Sequence, residues 1–149
     1  MMTNKEGKNT SGHLKATITG EEVFYSEKVR VLQRLEDGSY QFDADKGDGE
    51  WLALVVRTLN VEVGKSYKID RFGGEGTANA VYYASYESSY NGILGEVKVT
   101  KFDQLSQTAV VEANVSVVND ADKKKKIEAK GSFEGFEVSM LQGLDFCKP

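Results

Sequence analysis

Thr108-Ala109-Val110-Val111-Glu112-Ala113-Asn114-Val115-Ser116-Val117-Val118 is the stretch that decides the fold. Ala109, Val111, Ala113, Val115 and Val117 recur at every second position, and Glu112, Asn114 and Ser116 stand between them. A strand points successive side chains to opposite faces of its sheet, so this rhythm predicts a half-buried β-strand. Asn119-Asp120-Ala121-Asp122, followed by Lys123 to Lys126, reads as a hairpin connection. The answering strand would face Ile127, Ala129, Gly131 and Phe133 inward, with Gly135 as a bulge that shifts parity at Phe136 and Val138.

Working toward the N-terminus, the same pattern recurs in short pieces. His13–Ile18 is predicted to face Leu14, Ala16 and Ile18 inward, with Val23–Tyr25 as a short edge segment. Lys28–Leu35 turns through Glu36-Asp37-Gly38-Ser39 into a return strand with Tyr40 and Phe42. Glu50–Arg57 is apolar on both faces, Leu52, Leu54 and Val56 on one and Trp51, Ala53 and Val55 on the other, so it is expected at the centre of a sheet. Ser66–Asp70 and a tyrosine-rich strand over Ala78–Glu87 follow. A turn is expected at Tyr90-Asn91-Gly92 before the strand Gly95–Phe102. Gly73-Gly74-Glu75-Gly76 reads as a mobile loop, and Ser139–Leu144 is the one stretch that suits a helix. The expected fold is all-β: residues 13–149 form one antiparallel β-sandwich of roughly eight to ten strands behind a flexible polar tail at 1–12, with a calycin-like closed barrel as the alternative.

Composition bounds the function. The 149 residues are 40% hydrophobic and 28% charged, as in a soluble globular protein, and the net charge of −4 argues against a nucleic-acid binder. No apolar run has membrane-spanning length, and Met1–Gly12 lacks the apolar centre of a signal peptide. Cys147 and His13 are the only cysteine and histidine, too few for a structural zinc site and with nothing to pair them as nucleophile and base. No catalytic residue and no cofactor is therefore assigned.

Two clusters remain as candidate sites. Asp43, Asp45, Asp48 and Glu50 lie in one acid-rich turn and offer oxygens to a hard cation, although the spacing is not that of an EF-hand, Lys46 opposes a cation, and a solvated hairpin turn needs the same residues. Trp51, Tyr82, Tyr86 and Tyr90, with Tyr83 beside them, form an aromatic group able to stack on sugar rings or anchor a protein partner. The loop Arg71–Thr77 is expected to move over it. Strand positions alone would place half of these rings in the core.

The order of segments resembles an uncharacterised family of small exported lipoproteins of Bacteroidota, β-sandwich-like proteins of unknown function. The matching pieces are Leu14-Lys15-Ala16-Thr17-Ile18-Thr19-Gly20-Glu21, Val63-Gly64-Lys65-Ser66-Tyr67-Lys68-Ile69, Ala80-Val81-Tyr82-Tyr83, Gly95-Glu96-Val97-Lys98-Val99-Thr100-Lys101-Phe102-Asp103 and Gly131-Ser132-Phe133-Glu134-Gly135-Phe136, within residues 13–138. The lipobox cysteine of that family is absent from this chain, and Val111-Glu112-Ala113-Asn114-Val115 stands where the family tends to show a Gly-containing strand. Gly49-Glu50-Trp51 is similar to the Gly-x-Trp signature of lipocalins, which lies on their first strand, whereas several strands precede it here. The lipoprotein resemblance implies an exported, periplasmic or surface-tethered protein, with membrane contact only through a lipid anchor; the aromatic group makes it a non-catalytic binding or structural module for a protein or carbohydrate. Two alternatives stand beside it. One is a carrier of a small apolar ligand inside a calycin-like barrel. The other is a cytoplasmic acidic immunity or inhibitor protein that meets a basic partner through Asp43, Asp45, Asp48 and Glu50.

Overall fold

The alternation of apolar and polar residues resolves into eleven strands of one sheet in the computed structural model, which describes residues 9–139. They are β1 (Ser11–Ile18), β2 (Phe24–Ser26), β3 (Val29–Arg34), β4 (Ser39–Gly47), β5 (Glu50–Val56), β6 (Ser66–Lys68), β7 (Ala78–Ser85), β8 (Ser88–Asp103), β9 (Thr108–Val118), β10 (Lys124–Glu134) and β11 (Glu137–Ser139). Ten follow one path, β11-β3-β4-β5-β7-β8-β9-β10-β1-β2, and β6 joins from the side on β8. The ladders between named strands are antiparallel except β11 on β3, which is parallel, so the sheet is mixed.

The all-β class holds, but the finer architecture differs from the expected one. Among the described residues there is no clear two-sheet sandwich and no closed barrel: one sheet curls strongly on itself into a half-barrel. Bulges cause part of the curl. β8 shifts register between Gly92 and Leu94 and again between Val99 and Lys101, and such insertions bend a strand and raise its twist. Gly95 takes φ +112 beside the backbone of Asn114, where a Cβ would collide with the Asn114 carbonyl. The bulges also let one strand of 16 residues serve several neighbours, β7 at its start, β6 at Glu96–Lys98 and β9 throughout.

The inward face is filled by large side chains. Tyr40, Tyr82, Phe24, Phe42, Phe136, Leu14, Leu52, Leu54 and Ile127 are all fully buried. Tyr40 meets Phe102 at 5.2 Å and Phe136 at 5.8 Å, both edge-on, and Phe42 meets Phe133 at 5.5 Å. A buried ring of this kind contributes about 1.5–3 kcal/mol by leaving water, so this face holds the sheet curled.

Where the two ends of the path meet, two hydroxyls bridge the seam. Thr10 Oγ1 donates to the Gly135 carbonyl (2.7 Å) and accepts from Val31 N–H (3.0 Å). Ser26 Oγ donates to the Asp45 carbonyl (2.6 Å) and accepts from Lys28 N–H (2.9 Å). Three residues assigned to the tail belong to the fold: Ser11 and Gly12 are part of β1, and Thr10 is a seam residue.

Other expectations also change. Tyr90-Asn91-Gly92 lies within β8, and the turn before it is Tyr86–Glu87, two residues between Ser85 and Ser88. Gly135 is no bulge in a continuing strand but, at φ +94, the break between β10 and β11. Ser139 ends β11, so it does not open a helix, and residues 140–144 lie outside the described residues. Gly73-Gly74-Glu75-Gly76 is tied down. Arg57 donates to the carbonyls of Asp70 (2.7 Å), Arg71 (3.0 Å) and Ala78 (3.3 Å) and to Thr77 Oγ1 (2.8 Å), while its own carbonyl accepts from Gly76 N–H (2.8 Å).

The seam yields a prediction. Thr10→Val leaves the Val31 N–H, on a fully buried residue, without its acceptor. Urea unfolding should show a loss of about 1–3 kcal/mol, and a midpoint equal to wild type would mean that the seam bond is not needed.

Candidate functional site

The outward face of the half-barrel is two surfaces with different chemistry. Over β1, β10, β9 and the middle of β8 it is charged: Lys15, Thr17, Lys98, Glu112, Asn114, Glu128 and Lys130 stand around an open trough of about 490 Å³. Opposite charges neighbour one another there, with Lys130 3.9 Å from Glu112 and Lys68 3.1 Å from Glu96. This is a well-solvated sheet face.

Over β3, β4, β5, β7 and the start of β8 the outward residues are another kind. The strand registers set them in rows. One row runs Asp45, Trp51, Tyr83, Ser89, and the next runs Arg30, Asp43, Ala53, Val81, Asn91. A third runs Leu32, Gln41, Val55, Asn79. Trp51, Ala53 and Val55 on β5 and Tyr83 and Val81 on β7 thus form an apolar strip two strands wide. Ala53 is 2% exposed, and the other four are half-buried. The rings of Trp51 and Tyr83 lie 5.7 Å apart, tilted by 60°.

Planar polar groups flank the strip. On the β3–β4 side Asp43, only 5% exposed, accepts from Arg30 Nη2 (2.9 Å), Arg30 Nε (3.2 Å) and Gln41 Nε2 (2.8 Å) through one oxygen, and Gln41 Oε1 accepts from Arg34 (3.4 Å). On the β7–β8 side stand Asn79, Asn91 and Ser89. Asn79 Oδ1 is buried without a hydrogen-bond partner among the described residues. At one end the strip is closed by the Tyr86 turn. Gly49, at φ +83, lies directly under it, and a Cβ there would stand 2.6 Å from the Tyr86 N and 2.8 Å from its ring.

The four aromatic candidates separate. Trp51 is on the strip, and Tyr86 is exposed at the adjoining turn. Tyr82 and Tyr90 point the other way, into the core, with rings 5.9 Å apart. Tyr83, whose partner across the strands is Trp51, takes the place expected of Tyr82. A ladder register decides this, and neither residue announces it by type. The sequence signal was the two-faced hydrophobicity of β5.

The four carboxylates do not converge. Asp43 is held by Arg30 on the outward face, and Asp45 accepts from Gly47 N–H (2.9 Å). Asp48 occupies the hairpin tip at φ +55, and Glu50 turns inward. Among the described residues no three His, Cys, Asp or Glu side chains are placed to hold a metal ion, which corrects the cation reading of this turn. Two of the four acids are also met by bases, Asp43 by Arg30 and Glu50 by Lys46, while Asp45 and Asp48 are exposed at the hairpin end.

Glu50 belongs to a polar closure at one end of the curl. Its Oε2 accepts from the Tyr82 hydroxyl (2.7 Å), and its Oε1 lies 3.5 Å from Lys46 Nζ. Lys46 Nζ also donates to the Val23 carbonyl (3.3 Å). Lys125 donates to the Thr19 carbonyl (3.0 Å) and pairs with Glu21 at 3.1 Å, with its ammonium 5.5 Å from the Tyr90 ring centre. Burial, and then the hydrogen bond to Glu50, push the Tyr82 phenol well above its ordinary range, and burial raises Tyr40. These groups fasten the β1–β2 connection across the core. Elsewhere, His13 stacks on Tyr25 at 6.0 Å, and Cys147 lies outside the described residues.

No family model matches the chain, and comparisons with curated proteins and with solved structures give no match either.

Two predictions follow from this geometry. Folding stabilises neutral Tyr82, so its contribution is complete below pH 10, the unfolded value, and falls as pH rises toward the higher folded one, by up to about 1.4 kcal/mol per pH unit. Thermal midpoints measured from pH 8 to 11.5 should fall above pH 10, less steeply in Tyr82→Phe; identical slopes would contradict the phenol's role. Gly49→Ala forces a left-handed φ and a backbone collision, so it should cost about 1–3 kcal/mol in denaturant unfolding. A neutral substitution would mean that the Tyr86 turn does not pack there.

Proposed function

We propose that this protein is a non-catalytic binding module whose contact face is the outward side of β5 and β7. One observation carries the reading: Trp51, Val55, Val81 and Tyr83 lie side by side, half-buried and still partly open to solvent, while the opposite outward face is given over to Lys, Glu, Thr and Asn. Contiguous exposed apolar surface on a soluble domain is costly and marks an interaction site more often than single exposed residues do. Tyrosine and tryptophan suit such a face, since each offers a large contact area for few rotatable bonds.

The alternatives fare less well against the same geometry. A carrier needs interior space, and the rings of Tyr40, Phe42, Phe102, Phe133 and Phe136 meet one another inside the curl. An acidic inhibitor of the expected kind needs all four carboxylates free, and Arg30 and Lys46 already face Asp43 and Glu50. The lipoprotein resemblance of residues 13–138 adds the proposal that this module is exported, periplasmic or surface-tethered.

The test is selection of ligands by immobilised protein from a printed glycan panel and a displayed peptide library, repeated with Val81→Asp. Val81 points outward, so the variant should fold with a similar thermal midpoint. The proposal expects ligands that wild type retains and Val81→Asp loses. Recovery of none, or of ligands indifferent to Val81→Asp, would overturn it.

A further inference from the structure

The ring end of the strip differs from its far end in charge. Asp45, Trp51 and Tyr83 are successive members of one register row, and residues opposite one another on neighbouring strands hold their Cβ atoms about 4.5–5.5 Å apart. Trp51 stands in the middle, so a group resting on its ring reaches Tyr83 on one side and Asp45 on the other. The exposed Tyr86 ring lies over Gly49, two residues before Trp51. Asp45 is exposed and takes part in no ion pair among the described residues. One of its carboxylate oxygens accepts from Gly47 N–H (2.9 Å), and the other accepts from no described residue. Asp48 and Glu87, in the two adjoining turns, are exposed as well. Of the bases nearby, Arg30 is held by Asp43, and Lys46 pairs with Glu50. Lys28, whose carbonyl accepts from Asp45 N–H (2.9 Å), is exposed and forms no ion pair with that carboxylate. Three exposed carboxylates against one exposed ammonium leave this corner negative. Toward Val55 the balance is different: Arg30 and Asp43 cancel at 2.9 Å, and Ala53, Val55 and Val81 are apolar.

Resting on the binding-face reading above, we infer that the partner is an extended polypeptide segment that sets a Lys or Arg side chain against Trp51, Tyr83 and Asp45 and apolar side chains along Val81 and Val55. An aromatic face attracts an ammonium or guanidinium through its quadrupole, tryptophan most strongly, and a carboxylate beside the ring adds a charge-assisted hydrogen bond. The methylene stem of a basic side chain suits the ring surfaces that lead to the charge. The strip beyond the rings is what selects a peptide over a free amine. From Trp51 to Val55 it runs about 13 Å, at some 3.3 Å per residue, and its side chains come from every second residue of β5. An extended peptide repeats at the same spacing. Laid along the strip, it meets the negative corner with one residue and Val81 and Val55 with the next side chains on the same face. A free amine fills the corner and leaves the strip open.

The experiment selects a displayed library of random linear peptides on wild-type protein, on Asp45→Asn and on Val81→Asp. Asp45→Asn keeps an oxygen for the Gly47 N–H and removes only the charge, so the turn should form as before. Selected sequences are then synthesised, with the basic residue replaced by norleucine in a second set, and titrated against the emission of Trp51, the only tryptophan of the chain. The wild-type selection should be enriched in Lys or Arg with apolar residues at alternate positions beside it, and norleucine should weaken binding by about tenfold. Asp45→Asn and Tyr83→Ala should each weaken it by roughly threefold to tenfold, and added salt should weaken the basic peptides while sparing the norleucine set. Peptides that Val81→Asp loses but that show no basic enrichment, or that bind equally well as norleucine forms, would overturn the cation assignment and leave the binding face standing. Butylammonium chloride binding as tightly as the peptides would remove the polypeptide from the inference. If glycans are the only ligands that Val81→Asp loses, the inference falls and the face stands. Recovery of no ligand of either kind, or only of ligands indifferent to Val81→Asp, would sink both.

Discussion

Aromatic rings packed against one another inside a curled sheet are the constraint from which the rest of this structure follows. Tyr40, Phe102 and Phe136 gather near one end of the curl, Phe42 and Phe133 adjoin them, and Tyr82 and Tyr90 occupy the other end. These rings come from β4, β7, β8, β10 and the segment before β11, so burying them requires one sheet to bend until distant strands share an interior. The parallel ladder of β11 on β3 belongs to the same closure, because it brings Phe136 to the ring cluster beside Tyr40. Polar groups complete what packing starts. Thr10 and Ser26 bridge the seam, and Lys46 and Lys125 fasten the β1–β2 connection over Tyr82 and Tyr90.

Once the inward face is committed, the outward face is free to differ from place to place. On β1, β9 and β10 it is tiled with matched charges. On β5 and β7 it stays apolar, although no strand of the chain's described part lies over it. A strand buried on both faces is expected to have cover on both sides. Here the second cover is supplied in part by neighbours, the Arg30–Asp43–Gln41 chain on one flank and the Tyr86 turn on another, and the remainder is open. That residual exposure is what gives the β5–β7 surface its functional reading.

Much of this was legible in the residues. The period-two rhythm set the class and most strand limits: β9 is Thr108–Val118 as read, although Lys124–Lys126, expected in the connection after it, already belong to β10. Glu50–Arg57 was recognised as a central strand because both its faces are apolar, and it lies between β4 and β7. Alternation does not say how many sheets form or whether they close, which depends on where bulges fall. The two in β8 add to the curl, while the pairing of β7 with β8 sets Tyr90 opposite Tyr82 in the core and not in a turn. The candidate site was half legible. Trp51 and Tyr86 were singled out, but the choice between Tyr82 and Tyr83 depends on register with Trp51, a pairing between residues 32 apart in sequence that no local pattern encodes. The acid-rich turn misled for a similar reason, since alternation sends Asp43 and Glu50 to opposite faces and bases meet each of them.

The central claim is that the interior is filled by packed side chains and that contact with other molecules falls on the outward side of β5 and β7. Amide chemical-shift mapping of the labelled protein, titrated with a ligand it retains, tests this most directly. The account predicts perturbations concentrated at Trp51, Ala53, Val55, Val81 and Tyr83, with their neighbours Asp43 and Asn91. Perturbations centred on Lys15, Glu112 and Lys130 in the charged trough, or on Leu14, Leu54 and Val97 in the core, would contradict it.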